Sequence, residues 1–529
     1  MSDATRSAIA TPELSLSEFA NELHTDFSRP ENREALQRAA ARVRSELGLE
    51  YDLLIGGEHV RTEQKLTSIN PARPSEVVGI HQKATIELAN RAVDSVYAFF
   101  PEWSKTTEEE RVETLLRTAA IIRRRKLEFD AWLVYEAGKT WTEADADVSE
   151  AIDFCEYYGR RMLRLAHPEP VTQAPGESDE LVYLPLGAGV IIPPWNFPLA
   201  ILTGMTAAAL VTGNTVVIKP SSETPTIAAK FAEVLLEAGF PPRSFAFCPG
   251  SGSVVGESLV QHPKTRFVSF TGSRDVGLRI NELAAKPQPG QIWIKRVIAE
   301  MGGKDAIVVD READLDSAVA GVLASAFGYQ GQKCSACSRA IVEQGVYDDF
   351  LARLTLTARE LKVGSPENLS NHIGPVISEA AMRSILGYIE IGKREGRLIC
   401  GGGRAAGDGY FLEPTIFADV DRTARIFQEE IFGPVLAVSK ARNFDHALEL
   451  ANDTEYGLTG SVYTKNRAKI DKARAVFFVG NLYINRKCTG AMVGCHPFGG
   501  FNMSGTDSKA GGPDYLLQFV QAKSIAEKL

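Results

Sequence analysis

A chain of 529 residues, 44% hydrophobic and 24% charged, is too long for one core and has the balance of a globular protein of roughly three domains. Its net charge of −9 is dispersed, which excludes the basic field that a nucleic-acid partner requires. Its seven cysteines are odd in number and sparse, so a disulfide framework is excluded and a reducing compartment fits. No apolar core flanked by positive charge stands near Met1. The most apolar run, 201–218, is interrupted by Thr203, Gly204 and Asn214, which makes it too polar to span a bilayer. The expected location is the cytoplasm, with neither membrane nor nucleic acid as a partner.

Residues 1–50 read as an amphipathic helical arm, because Leu23, Phe27, Leu36, Ala40, Val43 and Leu47 recur at helical spacing among charges. Tyr51 to Ile55 and the residues after Gly56-Gly57 read as two short strands about a tight turn. Ser68-Ile69-Asn70-Pro71 reads as punctuation before helices from Thr85 to Tyr158. Glu136-Ala137-Gly138-Lys139 falls between two of those helices. Pro168 to Pro185, with Pro, Gly and alternating residues, predicts an exposed two-stranded hairpin. A lone hairpin is marginal in water, so pairing with another subunit is expected. From Gly187 the rhythm is strand, loop, helix, with strands at 187–192, 215–219, 244–248 and 266–270 and helices to Val211 and over 225–238. Near-continuous apolar strands alternating with helices predict a parallel sheet covered on both faces, with ligands at the carboxyl ends of its strands. A second alternating region opens with a strand at 306–309 and a helix from an Asp314 N-cap to about Tyr329. It continues to about Ile484, and the chain ends in a strand at 515–525.

Two stretches carry chemistry. Cys334 sits in the small polar turn Gly331-Gln332-Lys333-Cys334-Ser335-Ala336-Cys337, and Glu300 opens Glu300-Met301-Gly302-Gly303-Lys304. A thiol and a carboxylate on glycine-bearing backbone point to covalent acyl chemistry with a hydrolytic second step. A free thiol titrates near ~8.5, so Cys334 is expected to need local help to ionise. Cys334-x-x-Cys337 also has the spacing of a redox pair. The pattern before it lacks a short redox fold, so Cys337 reads as a small packed residue. No strict G-x-G-x-x-G is present. Gly250-x-Gly252-x-x-x-Gly256 and Gly272-x-x-x-x-Gly277 are glycine turns after two strands of one sheet, and a helix N-terminus there suits a pyrophosphate. Lys219 ends a strand where it can meet ribose or phosphate; taken alone, it reads more plainly as a solvated charge. The eight histidines are scattered and no His/Cys/Asp cluster has metal-ligand spacing, so no metal is expected.

Pro194-Trp195-Asn196-Phe197-Pro198, Lys219-Pro220-Ser221-Ser222-Glu223-Thr224-Pro225, Phe270-Thr271-Gly272-Ser273, Glu300 to Lys304, Gly331 to Cys334, and Glu430-Ile431-Phe432-Gly433-Pro434 stand in order along the chain. In order and approximate spacing they resemble the aldehyde dehydrogenase superfamily, over about residues 50–529. The resemblance implies an α/β fold of two doubly wound parallel-sheet domains with a β-hairpin oligomerisation arm. The dinucleotide-binding domain would comprise 51–165 and 186–300, the catalytic domain 301–490, and the arm 166–185 with 515–529. It implies Cys334 as nucleophile, Glu300 as base for the hydrolytic water, and the Asn196 side chain with the Cys334 N–H as an oxyanion hole. NAD is the implied cofactor. Lys219 and Glu430 would hold ribose hydroxyls, Phe432 would pack near the nicotinamide ribose, and Gly272 and Ser273 would lie by the pyrophosphate and nicotinamide. Trp195 and Ile192 would stand near the reactive end, and Gly252, Gly256, Phe270, Thr271 and Val276 would complete the cofactor surface. Many NAD-preferring relatives carry a glutamate where Ser222 stands. Without it a 2′-phosphate is not repelled, so NADP tolerance is expected unless Glu223 points inward.

Gln332 to Ala336, Thr489 to Gly500 and Gly505 to Pro513 further resemble the monofunctional 1-pyrroline-5-carboxylate dehydrogenase branch. That branch implies oxidation of L-glutamate 5-semialdehyde to L-glutamate, the second step of proline breakdown. It implies the Ser335 hydroxyl and the Gly490 and Ala491 N–H groups as an anchor for the substrate carboxylate. Phe197 and Phe498 would sandwich the aliphatic chain, and Glu136 is a candidate partner for the ammonium. A homo-oligomer, as a dimer or an assembly of dimers, and a proline dehydrogenase partner are also expected. Three alternatives stand beside this reading: another semialdehyde such as succinic, a non-catalytic scaffold on the same fold, and a dithiol oxidoreductase acting through Cys337.

Overall fold

The computed structural model describes residues 16–529, and two seven-stranded sheets set its plan. The strand order of the first is Arg296–Glu300, Phe267–Thr271, Ala188–Ile192, Thr215–Ile218, Phe245–Phe247, Leu53–Ile55 and Glu58–Val60. Its first five strands run parallel. Leu53–Ile55 joins them antiparallel and turns back through Gly56 and Gly57. Ala188–Ile192 and Thr215–Ile218 are buried along their whole length, as expected of a parallel sheet between helical layers. Val190 and Ile192 pack with the helices Ile86–Trp103 and Arg274–Ala285, while Ile191 faces the opposite layer. Strand order reverses between Ala188–Ile192 and Phe267–Thr271, so a crevice opens beyond Ile192 and Thr271.

The second sheet has the order Arg397–Cys400, Thr415–Ala418, Val435–Ala441, Cys337–Glu343, Asp305–Val309, Thr459–Tyr463 and Asn481–Ile484. Only its first strand is antiparallel to its neighbour. Glu300 ends the edge strand of the first sheet and Asp305 begins a central strand of the second. Residues 301–304 are therefore the crossing between the two. The helices obey local signals: Thr107 and Glu110 form a capping box at the start of Glu108–Arg124. Pro225 opens Pro225–Ala238, and Gly239 closes it at φ +97.

Several expectations change. Of residues 16–50, only Pro30–Glu46 is helical; residues 1–15 of the expected arm lie outside the described residues. Residues 16–29 form an arm without helix, on which Leu23 is 85% exposed. Pro30 disfavours a helical residue before it and is at home in the first turn. Ser68 to Asn70 is no punctuation but the end of the strand Lys65–Asn70, paired with Arg73–Gln82. The predicted local hairpin at 168–185 is replaced by a ribbon built from distant parts of the chain. Glu177–Pro185 pairs with Val520–Lys528 throughout, and 168–176 adds a single bridge from Glu169 to Leu181. Pro168, Pro170 and Pro175 lack the amide hydrogens that a ladder needs. The last strand begins at Val520, after a buried 3₁₀ turn over Tyr515–Phe519. Among the described residues no helix is long and apolar enough to cross a membrane.

Candidate active site

The helix Leu315–Phe327 starts at Asp314, whose side chain accepts from the Ser317 N–H at 3.1 Å. It stops two residues before the expected end. Tyr329 and Gln330 take positive φ, at 48° and 57°, which costs free energy unless the surroundings hold it. Here the Tyr329 hydroxyl donates to Ala137 O at 2.8 Å, and Gln330 Nε2 donates to Pro375 O at 2.7 Å. Gln332 Oε1 accepts from the Ile377 N–H at 2.9 Å. This kinked turn delivers Cys334 to the amino end of the strand Cys337–Glu343, facing the first sheet. Asn196, in the loop after Ala188–Ile192, donates from Nδ2 to Gln332 O at 2.9 Å, so the two sheets are tied together at the thiol. The Cys334 N–H has no acceptor among the described residues.

Glu300 Oε1 accepts from Ser508 Oγ at 2.5 Å and from the Ser508 N–H at 3.3 Å. Its Oε2 is buried and unpartnered among the described residues. Burial outweighs those hydrogen bonds and pushes the carboxyl up to about 7. Burial also holds the Cys334 thiol well above its usual range, reinforced by the carboxylates of Asp305, Glu430 and Glu300. The local help expected for ionisation is thus not supplied by these neighbours, which favour the neutral thiol.

The residues expected to hold the cofactor come from both sheets. The Lys219 ammonium is buried, burial lowers it to about 8, and its protein partner is Pro220 O at 3.0 Å. An ammonium has three N–H donors, so it has capacity left for hydroxyl groups. Its stem lies beside Gly256, where a Cβ would stand 3.5 Å away, and a Cβ on Gly252 would meet open space. Ser273 caps the helix Arg274–Ala285 by accepting from the Val276 N–H at 3.5 Å. Gly272 lies so close to Phe270 that a Cβ would sit 2.6 Å from the ring. Thr271 ends its strand at the same place. From the second sheet, Glu430 Oε1 accepts from the Gly303 N–H at 3.0 Å, and burial pushes its carboxyl up to about 7. Phe432 meets Trp195 edge-on at 5.4 Å, and Ile192 packs below. Ser222, Glu223 and Val276 are exposed at the rim. The donors, the carboxylate and the open glycine turn fit a dinucleotide.

On the other side of the thiol, Ser335 is buried and its carbonyl accepts from Cys488 Sγ at 3.4 Å, which places the 488–491 loop against it. The Gly490 and Ala491 N–H groups have no acceptor among the described residues. Phe498 is half-buried and bridged to Ala510. Phe197 carries the Lys139 ammonium 4.0 Å from its ring centre, and Lys139 pairs with Asp147 at 3.0 Å. Glu136 does not join this group. It is fully buried, and its two oxygens accept from the Thr226 and Ile227 N–H groups, both at 2.8 Å. That carboxylate caps the helix Pro225–Ala238 and is buried away from solvent, where no ammonium reaches it. Cys337 is buried with its Sγ on Arg339 O at 3.4 Å, and all seven cysteines are free.

The sequence reading missed Lys139, the Glu143–Lys333 pair at 2.7 Å, Asp147, Glu150 and Ser508. A signal existed. Glu143, Asp147 and Glu150 fall at helical spacing on one face of Trp141–Leu165. A face of carboxylates that turns inward points to a site. Glu150 is half-buried without a hydrogen-bond partner among the described residues, and burial pushes its carboxyl up to about 8.

Residues 59–525 match the aldehyde dehydrogenase family. The chain belongs to the aldehyde dehydrogenase family. Among its relatives, the 1-pyrroline-5-carboxylate dehydrogenases of Geobacillus thermodenitrificans and Geobacillus kaustophilus are each 61% identical over 509 residues, covering 96% of this chain and 99% of theirs. Among solved aldehyde dehydrogenase folds, the Thermus 1-pyrroline-5-carboxylate dehydrogenase with bound NAD superposes with a TM-score of 0.96 at 51% identity, over 98% of this chain and 100% of that one. Proline utilization A from Bdellovibrio bacteriovorus matches with a TM-score of 0.95 at 44% identity, over 97% of this chain and 53% of its own.

Proposed function

We propose that this aldehyde dehydrogenase oxidises L-glutamate 5-semialdehyde, the open form of 1-pyrroline-5-carboxylate, to L-glutamate, as the second step of proline catabolism. One observation carries the reading: the Glu300 carboxylate acts on the Cys334 thiol from the other sheet's edge, and Ser335 beside that thiol accepts from Cys488, which brings up the loop whose Gly490 and Ala491 N–H groups have no acceptor among the described residues. Relatives 61% identical over nearly the whole chain, named for 1-pyrroline-5-carboxylate, support the substrate.

Lys219, Glu430, Phe432, Trp195, Ile192 and the turns at Gly252–Gly256 and Phe270–Val276 hold NAD. When bound, NAD supplies the acceptor for the hydride that leaves the aldehyde carbon. The Cys334 thiol gives its proton to solvent water as its sulfur adds to that carbon. The oxygen turned oxyanion is held by Asn196 Nδ2 and the Cys334 N–H, each such donor worth about 10²–10³ in rate. Departure of the hydride leaves a thioester on Cys334. Glu300, poised near neutrality, takes a proton from water. The hydroxide adds to the thioester carbon, the carbon–sulfur bond breaks, and the acid is released. The Ser335 hydroxyl with the Gly490 and Ala491 N–H groups holds the distal carboxylate, and Phe197 and Phe498 enclose the chain. Glu150, whose carboxyl has no partner among the described residues and ionises as the cation binds, takes the ammonium in place of Glu136. Ser222 leaves room for the 2′-phosphate of NADP at the rim. The Glu177–Pro185 and Val520–Lys528 ribbon pairs with a second copy. A proline dehydrogenase supplies the substrate, and the free thiols fit the cytoplasm.

The test is NAD reduction followed by absorbance with 1-pyrroline-5-carboxylate, succinic semialdehyde and a simple aliphatic aldehyde. The expected result is strong preference for the first, abolished in Cys334→Ala. Equal or better turnover of another aldehyde would discard the substrate, and activity surviving in the variant would discard the nucleophile.

A further inference from the structure

The arm at 16–29 reaches the loop assigned to the substrate carboxylate. Asn21 Nδ2 uses both of its hydrogens there, donating to Val493 O at 3.0 Å and to Asp153 Oδ2 at 2.8 Å. Asp153 Oδ1 accepts from the Glu22 N–H at 2.6 Å, so the arm backbone is fixed at the same carboxylate. Two residues earlier, Phe19 meets Tyr157 edge-on at 5.1 Å. It lies so close to Gly494 that a Cβ there would stand 3.0 Å from the ring. Gly494 has φ +78 and donates to Gly511 O at 2.8 Å. At the other end of the loop, Arg486 Nη2 holds Thr489 O at 3.1 Å and Gly490 O at 3.0 Å.

The loop is therefore gripped by its carbonyls on both flanks. A peptide plane carries the C=O of one residue and the N–H of the next, so a held carbonyl fixes the direction of the N–H that follows it. Arg486, by holding Thr489 O and Gly490 O, fixes the planes that carry the Gly490 and Ala491 N–H groups, which have no acceptor among the described residues, while Asn21 and Phe19 hold the far flank at Val493 and Gly494. An anion site made of bare N–H groups works only if they are held converged before the anion arrives.

We propose that the 16–29 arm, through Asn21 and Phe19, is a positioning element for the carboxylate anchor, and so sets affinity for aldehydes that carry a distal carboxylate. Asn21 touches neither substrate nor nucleophile. It holds the Val493 flank of the loop, so that the Gly490 and Ala491 N–H groups oriented by Arg486 do not swing away. This rests on the anchor assigned above.

The test is Asn21→Ala and, separately, Phe19→Ala, assayed with 1-pyrroline-5-carboxylate and with propanal. Hydrogen exchange of the 486–495 peptide is read by mass spectrometry. KM for the carboxylate substrate is expected to rise about five- to tenfold, the worth of about one hydrogen bond. kcat and the KM values for propanal and NAD are expected to hold, and exchange at Met492 and Gly494, whose N–H groups are bonded to His496 and Gly511, to accelerate. Equal losses with both aldehydes would show a merely structural arm and overturn the proposal. So would unchanged exchange at Met492 and Gly494. If wild-type protein itself prefers propanal, the substrate reading fails, and the exchange experiment still decides whether the arm holds the loop.

Discussion

Glu300 and Ser222 are single side chains whose surroundings give opposite instructions. Glu300 is buried and its carboxyl is pushed up to about 7. As the base of the hydrolytic step it works ionised, so turnover should fall as pH drops through about 7. Glu300→Gln should release one equivalent of NADH per active site in a fast burst and then turn over at least about 10²-fold more slowly. Stopped-flow absorbance would show both phases. The same shift sets stability. A carboxyl whose folded pKa exceeds its unfolded value binds more protons when folded, so it costs stability as pH rises from about 4.5 through 7. Glu300→Gln should therefore be more stable than the parent at pH 8, by up to about 3 kcal/mol. The gap should close near pH 4.5, as read by chemical denaturation. Ser222 is exposed at the cofactor rim with no charge of its own. Ser222→Glu should raise KM for NADP at least about tenfold and leave KM for NAD within about twofold, because only the 2′-phosphate meets the new carboxylate.

At the scale of elements, Glu136 belongs to the helix it caps. Its two hydrogen bonds to the first N–H groups of Pro225–Ala238 are charge-assisted. Glu136→Ala leaves those donors buried and unpaired. It should cost about 2–4 kcal/mol in urea unfolding while KM for the aldehyde stays put. From sequence alone a glutamate between two helices offers no sign of which helix end it will meet 90 residues later. Local signals were legible where they decide structure locally: Pro225 and Gly239 bound one helix, Asp314 caps another, and apolar runs at 188–192 and 215–218 are strands. The motifs for the thiol, the base and Asn196 were legible because their spacing is tied to the strand ends that carry them. The ribbon was not. Its strand at Glu177–Pro185 looked for a neighbour nearby and found one more than 330 residues on. Nor was Lys139 against Phe197 legible, since a lysine reads as a surface residue until its partner Asp147 is seen buried beside it.

At the scale of the whole molecule, the ribbon of Glu177–Pro185 and Val520–Lys528 stands away from both large sheets, and the outer strand is exposed beyond Val520. Two strands alone are marginal in water. Ending the chain after Phe519 removes one of them and should convert the assembled protein to a smaller species in sedimentation velocity, with Tyr515–Phe519 still packed. The core that contains the first sheet also has a feature of timing. All strands of that sheet precede residue 301, yet Val493, Tyr515, Leu516 and Phe519 complete its packing. At ribosomal speed the chain beyond Glu300 takes roughly 10–45 s to emerge. Throughout that interval the nascent cofactor unit has its sheet but lacks its last apolar wall. A ribosome stalled late in the message thus presents a nearly finished domain with an open greasy seam, the kind of surface on which chaperones act.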